Sequence, residues 1–313
     1  MRDSLPHVLT PAETGDDLFD WITRNGAEVD EGLARAGAVL FRGFDIATPD
    51  RFEPVAELIC GELVADNGEH NPVFDGSSVQ TPVFYPPDKH LLWHNENSFN
   101  AEWPLRIVFC CGQPAETGGE TPVVDSRLVY ETLDPALRRR FEERGVGYQR
   151  VYRAGLGLTW QQVFGTDSRA EAERRCAETG LRHEWLDGDR LRTTCVRPAV
   201  VKHAGSGRMS WFNQAQHWHT ACLDEQTRAA LQELFSEDEM PRSCRYGDGS
   251  EIEDSVMTEI LDVYRSLESA FPWHRGDVLA VDNVAVAHAR NPFTGKRKLF
   301  VAMGGAGSYP GEV

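Results

Sequence analysis

The feature that most limits the fold of this chain is a series of short β-branched or aromatic segments, each bounded by Gly, Pro, Asn or Asp. Segments of this length and composition are typical of β-strands. They do not alternate regularly with helical segments, which disfavours a doubly wound parallel sheet. We expect nine strands, at Ala38–Arg42, His90–His94, Arg106–Cys111, Thr121–Val124, Gly147–Tyr152, Ser210–Asn213, Val278–Val281, Ala285–Ala289 and Lys298–Met303.

Helical signals lie between and around these segments. Thr48-Pro49 and Asp134-Pro135 each combine a capping residue with proline at the first helical position. We expect helices at Asp16–Ala27, Asp50–Cys60, Ala136–Arg144, Ser168–Thr179, Asp224–Phe235 and Ser250–Ala270. The two patterns together predict a mainly β fold with surrounding helices, whose core is a double-stranded β-helix of the jelly-roll, cupin-like kind.

The chain shows no internal repeat and no flexible linker. We therefore expect a single domain, residues 1–313, with a lid-like insertion around 66–89 and a helical insertion around 134–270. Substrate contacts are expected from the segment Asp66–Lys89, which contains His70 and is long enough to fold over a site.

Charge and composition argue against several classes of protein. With 49 acidic and 32 basic residues the formal net charge is -17, which argues against nucleic acid or an anionic membrane as the principal partner. Apolar runs such as Ala38–Phe41 are far shorter than the roughly 20 residues of a membrane-spanning helix, and the N-terminus opens no apolar signal segment. We therefore expect a cytoplasmic protein. Seven cysteines without a CxxC pair predict reduced, mostly buried thiols.

The segment from Leu91 to Phe99 contains a histidine and a carboxylate two residues apart, His94 and Glu96. On a strand, residues two apart point to the same face, so the imidazole and the carboxylate converge. Such a pair alone is more often an exposed polar face. However, His288 lies in an otherwise apolar run and offers a third ligand. Two neutral imidazoles and one carboxylate form the facial triad of non-haem Fe(II) oxygenases, which leaves positions open for a co-substrate and oxygen.

Three further residues lie where such a site would need them. Arg297 follows His288 by nine residues. Strand alternation separates it from Lys296 and Lys298, so we expect its guanidinium to point inward and pair with a carboxylate. Thr121 begins a strand after a glycine turn, and its hydroxyl could donate to the carboxylate that pairs with Arg297. The alternative is that Thr121 only stabilises the turn. Asn213 follows two aromatic residues and either presents an amide to a pocket or caps the end of a strand.

In these motifs the chain resembles the taurine dioxygenase (TauD/TfdA) family of Fe(II)- and 2-oxoglutarate-dependent oxygenases. The similar segments are Trp93-His94-Asn95-Glu96, Gly118-Gly119-Glu120-Thr121, and Asp282-Asn283 through His288 to Arg297. The resemblance implies that His94, Glu96 and His288 bind Fe(II). It also implies that Thr121 and Arg297 bind 2-oxoglutarate, which is oxidised by O2 to succinate while a C–H bond of the substrate is hydroxylated.

Other segments are similar to a branch of the family that hydroxylates amino acids in nonribosomal-peptide and antibiotic pathways, among them Ala287-His288-Ala289-Arg290-Asn291-Pro292-Phe293. Position 301 is valine, where taurine-oxidising members have a second arginine for the substrate anion. Halogenating members lack the carboxylate that Glu96 provides here, which favours oxygen transfer. The resemblance implies hydroxylation, at Cβ, of a polar amino acid or a derivative of one, either free or bound to a carrier protein.

The neighbourhood of the ligand strand contains further candidates. Asn97 follows Glu96 and is a candidate for substrate binding, although regular alternation would turn it to the opposite face. We interpret His217 and His219 as a pocket rim or as structural histidines. Asp282 and Asn283 are interpreted as a turn, with positioning of the imidazoles as the alternative.

Three alternatives stay open on the sequence alone. The first is a non-redox, cupin-type hydrolase or isomerase in which the same ligands hold Zn(II). The second is a protein of this fold without turnover, against which the intact set of ligands and Arg297 argues. The third is desaturation, epoxidation or cyclisation in place of hydroxylation. The sequence also leaves self-association into a homo-oligomer open.

Overall fold

Helices surround a β core in this computed structural model, which describes residues 4–12, 16–64, 71–74 and 76–309. The helices of this part of the chain are α1 (Leu18–Ala36), α2 (Pro49–Cys60), α3 (Ser126–Thr132), α4 (Pro135–Arg144), α5 (Trp160–Phe164), α6 (Arg169–Glu178), α7 (Ala215–Trp218), α8 (Glu225–Leu234) and α9 (Asp254–Leu267). None of these helices is long and apolar enough to cross a membrane.

The strands follow the predicted pattern with several additions. They are β1 (His7–Leu9), β2 (Ala38–Phe41), β3 (Asn71–Pro72), β4 (Gln80–Thr81), β5 (Leu91–His94), β6 (Glu102–Gln113), β7 (Thr117–Gly118), β8 (Val123–Asp125), β9 (Val146–Tyr152), β10 (Arg182–Trp185), β11 (Leu191–Arg197), β12 (Val200–Lys202), β13 (Met209–Trp211), β14 (Arg242–Tyr246), β15 (Val278–Asp282), β16 (Val286–Arg290), β17 (Phe293–Thr294) and β18 (Lys298–Ser308). Every expected strand and helix overlaps an observed one.

Seven strands form the larger sheet, in the order β1-β2-β15-β6-β18-β4-β3. Its centre is the long antiparallel pair of β6 and β18, and β1 pairs with β2 in parallel at one edge. Side chains alternate along β6: Val108 and Cys110 pack in a cluster with α1 and α2, whereas Ile107 and Phe109 face the interior. Burial on both faces explains why the central strands are apolar almost without interruption.

A second sheet of three strands, in the order β5-β16-β8, packs against the interior face of the larger sheet. Val123 and Val286 from this sheet share one apolar cluster with Leu299 of the larger sheet. His288 lies two residues after Val286 on β16 and is the register partner of His94 on β5. Both imidazoles therefore face the space enclosed by the two sheets.

Residues 134–270, which we expected to form a helical insertion, contain strands as well as helices. A four-stranded antiparallel sheet, β10-β11-β9-β14, and the hairpin β12-β13 lie among helices α4 to α9. The segment packs on the outer face of the smaller sheet, where Tyr264 of α9 stacks on Trp93 with ring centroids 5.5 Å apart. Because Trp93 alternates with His94, this packing supports the ligand strand from behind.

The end of α1 differs from the prediction for a local reason. The pair Asn25-Gly26 resembles a helix stop, and Asn25 indeed has non-helical dihedral angles (φ -122°, ψ 24°). The helix nevertheless resumes and continues to Ala36, where Gly37 ends it in the left-handed conformation (φ 78°). The buried side chains Val29 and Leu33 supply packing that outweighs the local break.

The segment 66–89, which we expected to be a lid, contributes two short strands to the edge of the larger sheet. β3 pairs with β4, and Gln80 of β4 is the register partner of Val301 on β18. Beyond β4 the chain is irregular, and Phe84 is 87% exposed. His70 lies outside the described residues.

The cysteines agree with the prediction of reduced thiols. All seven are free, and five of them are buried. Burial raises the pKa of the Cys60 and Cys222 thiols to about 12, so both stay protonated at neutral pH.

Candidate active site

His94, Glu96 and His288 come together inside the double-stranded β-helix. The Glu96 Oε2 atom lies 3.9 Å from His94 Nε2 and 4.0 Å from His288 Nε2, and the three ligand atoms are within 4.8 Å of one another. Their side chains are only 12%, 11% and 7% exposed, in the order 94, 96, 288. The convergence of three donor atoms expected from the sequence is present, although β5 ends at His94 and Glu96 lies in the turn that follows the strand.

The tautomer of His94 follows from its hydrogen bonds. Its Nδ1 atom lies 2.9 Å from the carbonyl oxygen of Leu92. A carbonyl only accepts, so Nδ1 carries the proton and the lone pair of Nε2 points toward Glu96. This is the state in which an imidazole ligates a metal.

Side chains in and next to the short helix α7 donate to the backbone carbonyls of β5, the strand that contains His94, and of the residue that follows it. Gln214 donates to the carbonyl of Asn95 at 2.8 Å, and Gln216 donates to that of Trp93 at 2.5 Å. His217 donates from Nε2 to the carbonyl of Leu92 at 2.8 Å, and its ring lies 4.8 Å from that of His94. Burial and the neighbouring His94 lower the pKa of His217 to about 3, so it stays neutral.

The sequence did not predict these contacts between α7 and the backbone carbonyls, which we call the α7 clamp. It indicated only a pocket rim or a structural role for His217. The sequence does contain a signal for these contacts: three side chains with an amide or imidazole group lie between two buried tryptophans, Trp211 and Trp218. Polar side chains in such an apolar setting need partners, and unpaired backbone carbonyls of a neighbouring strand are natural ones.

Asn283 fixes the backbone of Glu96 from both sides. Its Oδ1 accepts from Glu96 N at 2.7 Å, and its Nδ2 donates to Glu96 O at 3.0 Å and to Pro104 O at 2.8 Å. The sequence left two roles open for Asn283, a turn and the positioning of a metal ligand. The observed hydrogen bonds support positioning, but Asn283 positions the carboxylate ligand and not an imidazole.

Asp282, the neighbour of Asn283, takes part in a different cluster. Its Oδ1 accepts from Val284 N and Ala285 N at 3.0 Å, which is the turn role. Its Oδ2 accepts from His203 Nε2 at 3.0 Å. Burial alone would raise the pKa of Asp282, but the hydrogen bond and the charge of His203, together with the backbone donors of Ala285 and Val284, outweigh it, and the pKa is lowered.

The trio fits the requirements of a divalent metal ion. Two metal–ligand bonds of about 2.1 Å each span at most about 4.2 Å, and both imidazole–carboxylate distances are within this limit. Facial ligands lie about 3 Å apart, so the side chains move together by about 1 Å when they bind the ion. One carboxylate and two imidazoles suit Fe(II) and leave coordination positions for a co-substrate. The buried surroundings limit the access of water.

Arg297 and Thr121 lie together next to this trio in the fold. Arg297 donates from Nε to the carbonyl of Gly119 at 2.9 Å and reaches Thr121 Oγ1 from Nη2 at 3.5 Å. Trp273 also donates to Thr121 Oγ1, at 3.1 Å. Because both neighbours are donors, the hydroxyl proton of Thr121 remains available to an incoming acceptor such as a carboxylate.

The strand phase predicted around Arg297 agrees with the structure. Lys296 and Lys298 are exposed, whereas the guanidinium of Arg297 is directed inward. Burial, reinforced by the charge of Arg290, lowers the pKa of Arg297 to about 10, so the group stays cationic at neutral pH. A buried cation with only neutral hydrogen-bond partners is a site prepared for an anion.

Asn97 departs from the regular alternation that would have turned it away. β5 ends at His94, and Asn97 adopts a left-handed backbone conformation with φ 57°. Its side chain lines a cavity of about 170 Å³ together with Glu102, Trp103 and Met303. In the part of the chain that the structure describes, its buried Oδ1 has no hydrogen-bond partner.

Asn213 has a backbone role in the structure. Its Nδ2 donates to the carbonyl of Ala199 at 2.9 Å, and its Oδ1 accepts from Ala215 N at 3.1 Å. These contacts are of the capping kind that the sequence offered as the alternative to substrate binding. Both ends of the Asn213 amide are therefore used within the protein.

Comparison with known proteins identifies the family. The model of the family described as "Taurine catabolism dioxygenase TauD, TfdA family" matches residues 4–303. The chain belongs to this family. TauD-family enzymes are Fe(II)- and 2-oxoglutarate-dependent dioxygenases, so this chain is an enzyme that uses Fe(II), 2-oxoglutarate and O2. The non-redox Zn(II) alternative is thereby excluded.

Two curated relatives extend over most of the chain. The dapdiamide synthesis protein DdaC of Enterobacter agglomerans is 35% identical over 300 residues, covering 95% of this chain and 91% of the relative. A clavaminate synthase-like protein of Arabidopsis thaliana is 29% identical over 293 residues, covering 88% and 83%.

Two solved structures support the fold. AAD-2 in complex with Mn(II) and N-oxalylglycine matches with a TM-score of 0.58 and 15% identity, over 99% of this chain and 97% of that one. PvcB from Pseudomonas aeruginosa matches with a TM-score of 0.53 and 15% identity, over 97% and 88%. These likenesses confirm the predicted jelly-roll core.

Proposed function

We propose that this enzyme hydroxylates an unactivated C–H bond, at Cβ, of a polar amino acid or an amino-acid derivative. The observation that carries the proposal is the chemistry of the cavity whose lining includes Asn97, the residue that follows Glu96 in the sequence. Its lining includes Asn97 and Glu102, and among the described residues no lysine or arginine lines it. An ammonium or amide group finds acceptors there, whereas a sulfonate finds no cation.

The environment of Val301 supports the same substrate class. Taurine-oxidising members of the family carry an arginine at this position. Here Val301 is buried in an apolar cluster with Ile107, Phe109 and Met303. A sulfonate at this place would be desolvated and unpaired, a penalty of several kcal/mol.

In this proposal His94, Glu96 and His288 hold Fe(II), which when bound supplies the activation of O2 that couples oxidation of 2-oxoglutarate to oxidation of the substrate. Arg297 and Thr121 bind the distal carboxylate of 2-oxoglutarate and thereby orient its 2-oxo acid end. The Leu92 carbonyl keeps the proton of His94 on Nδ1, so that Nε2 stays free for the metal. Asn97 binds and orients the substrate.

The setting of the reaction and the organisation of the chain are also part of the proposal. Similarity to a dapdiamide synthesis protein supports a role in antibiotic or other specialised metabolism, with the substrate free or bound to a carrier protein. The family match over 4–303 supports a single domain. Exposed apolar side chains at Val83 and Phe84 support a substrate-covering role for the segment around 66–89.

The test is anaerobic reconstitution with Fe(II) and 2-oxoglutarate, followed by oxygen and a panel of amino acids, free and as carrier thioesters. We expect one panel member to raise succinate above background and to gain the mass of one oxygen atom. A loss of two hydrogens would instead assign desaturation or cyclisation. Taurine is the negative control, and sulfite release from it, or a panel without any active amino acid, would refute the substrate class.

A further inference from the structure

Arg290 is a second buried arginine near Arg297, and the function proposed above gives it no role. The residue is 8% exposed and lies on β16, two residues after His288. Its Nη2 donates to the carbonyls of Pro86 and Lys89, at 2.7 Å and 2.9 Å. Within the described residues its Nε and Nη1 atoms are buried and have no hydrogen-bond partner.

The strand register brings Arg290 opposite Thr121. β16 and β8 pair with His288 against Val123, and the ladder continues because Ala289 N donates to Pro122 O and Asn291 N donates to Glu120 O. Two residues beyond His288 and Val123, Arg290 and Thr121 therefore face each other as a non-hydrogen-bonded pair, whose side chains share one face. That is the interior face from which His288 projects.

Arg290 and Arg297 also share a neighbour. Both guanidinium groups lie near the ring of Phe293. The distance from the ring centroid is 5.1 Å to the guanidinium carbon of Arg290 and 5.7 Å to that of Arg297. Their contacts in the described residues are with backbone carbonyls, a hydroxyl and aromatic rings, and none is with a carboxylate. The carboxylates of Asp88 and Glu120 act on Arg290 and Arg297, respectively, only electrostatically and form no hydrogen bond with them. Two neighbouring guanidinium groups that are largely removed from water are costly, and an anionic ligand between them lowers that cost.

We propose that Arg290 is a second guanidinium of the co-substrate pocket, which binds the same distal carboxylate as Arg297 and Thr121 and makes the enzyme select a 2-oxo diacid. The inference rests on the proposed function of Arg297 and Thr121. A carboxylate accepts about four hydrogen bonds, so the unpaired Nε and Nη1 of Arg290 add to the donors already described without crowding them. The Nη2 bonds to Pro86 and Lys89 hold the guanidinium in place for this contact.

The test measures binding and not turnover. Two ligands are titrated anaerobically into the metal-loaded protein: 2-oxoglutarate, and 2-oxopentanoate, which has the same chain length without the distal carboxylate. Fluorescence of Trp273, which touches Thr121, and calorimetry report the Kd. We expect Arg290→Gln to raise the Kd of 2-oxoglutarate about tenfold or more and to change that of 2-oxopentanoate less than about twofold. The exposed Arg265→Gln on α9 is the matched control and should change neither.

Equal weakening of both ligands would show that Arg290 only anchors the loop at 86–89, and no weakening would also overturn the inference. Arg290→Lys keeps the charge and serves if the glutamine variant does not fold. A further measurement leaves Arg290 intact: the Arg297→Gln variant should still prefer the diacid, and complete loss of the preference would assign it to Arg297 alone. A wild-type protein without any preference for 2-oxoglutarate would refute the underlying pocket assignment instead.

Discussion

Two clusters of histidine and carboxylate lie in the same core, and they differ in how far apart their atoms are. In the cluster of His203 and Asp282, nitrogen and oxygen are 3.0 Å apart. The other ring nitrogen accepts from the Ser206 backbone N–H at 3.2 Å and lies 2.8 Å from the Ser206 hydroxyl. In the trio, the imidazole nitrogens stay 3.9 Å and 4.0 Å from Glu96. The first distance is a hydrogen bond, and the others are too long for one.

The difference separates a structural pair from a binding site. Every polar atom of the His203 ring is used within the protein, so nothing is left for a ligand. The Nε2 of His94 and the carboxylate of Glu96 instead converge on a common point without bonding to each other. Buried polar groups that converge just beyond hydrogen-bond distance of one another have the geometry of a ligand-binding site.

The largest expected effect concerns the trio. His94→Ala, Glu96→Ala and His288→Ala should each abolish coupled turnover, because three protein ligands are the minimum that holds the metal in a facial triad. Succinate formation and metal content are the measurements. Glu96→Ala is the most informative variant, since it should keep weak iron binding, lose hydroxylation and admit chloride in the vacated position. Wild-type turnover in any one variant would remove that residue from the metal site.

The next effect concerns the co-substrate. Arg297→Ala should weaken 2-oxoglutarate binding by about 2 kcal/mol or more, which is about 30-fold in Kd, because a buried charge-assisted pair is lost. Isothermal titration of the metal-loaded protein checks this value. Unchanged affinity would show that the buried cation serves the fold and not the ligand.

The other cluster should respond in stability and not in activity. His203→Ala should lower the free energy of unfolding by about 2 kcal/mol, because the half-buried Asp282 carboxylate loses its side-chain partner. Urea denaturation measures the loss, and turnover per folded molecule should stay at the wild-type value. Ser206→Ala is the control, since it removes only the exposed hydroxyl. A loss of metal binding in His203→Ala would break the distinction drawn between the two clusters.

The smallest effects are expected at the lysines beside Arg297. Lys296→Ala and Lys298→Ala should change the Kd of 2-oxoglutarate by less than about twofold, because both side chains are exposed and their charges are screened. If a lysine variant weakened binding more than Arg297→Ala did, the carboxylate contact would have been assigned to the wrong residue.

The sequence predicted the strands because side-chain alternation is a local property. It also predicted that His94 and Glu96 converge, but the strand argument behind that prediction was incomplete, because Glu96 lies in the turn after β5. Alternation of side chains also predicted that the Arg297 side chain points inward. It did not predict the departure of Asn97, since a single residue at φ 57° after the strand ends resets the parity. The α7 clamp on the carbonyls of Leu92, Trp93 and Asn95 depends on contacts across more than 100 residues, which no local pattern encodes.

The donor set of His94, Glu96 and His288 has a consequence for metal supply. Two imidazoles and one carboxylate suit several first-row divalent ions, so these donor types by themselves discriminate weakly among metals of similar size. Affinity then follows the general order in which Co²⁺ and Ni²⁺ bind more tightly than Fe²⁺. We expect these ions to occupy the site as inactive competitors that leave the fold intact. The fraction of active molecules would then depend on which metals were available when each molecule was loaded.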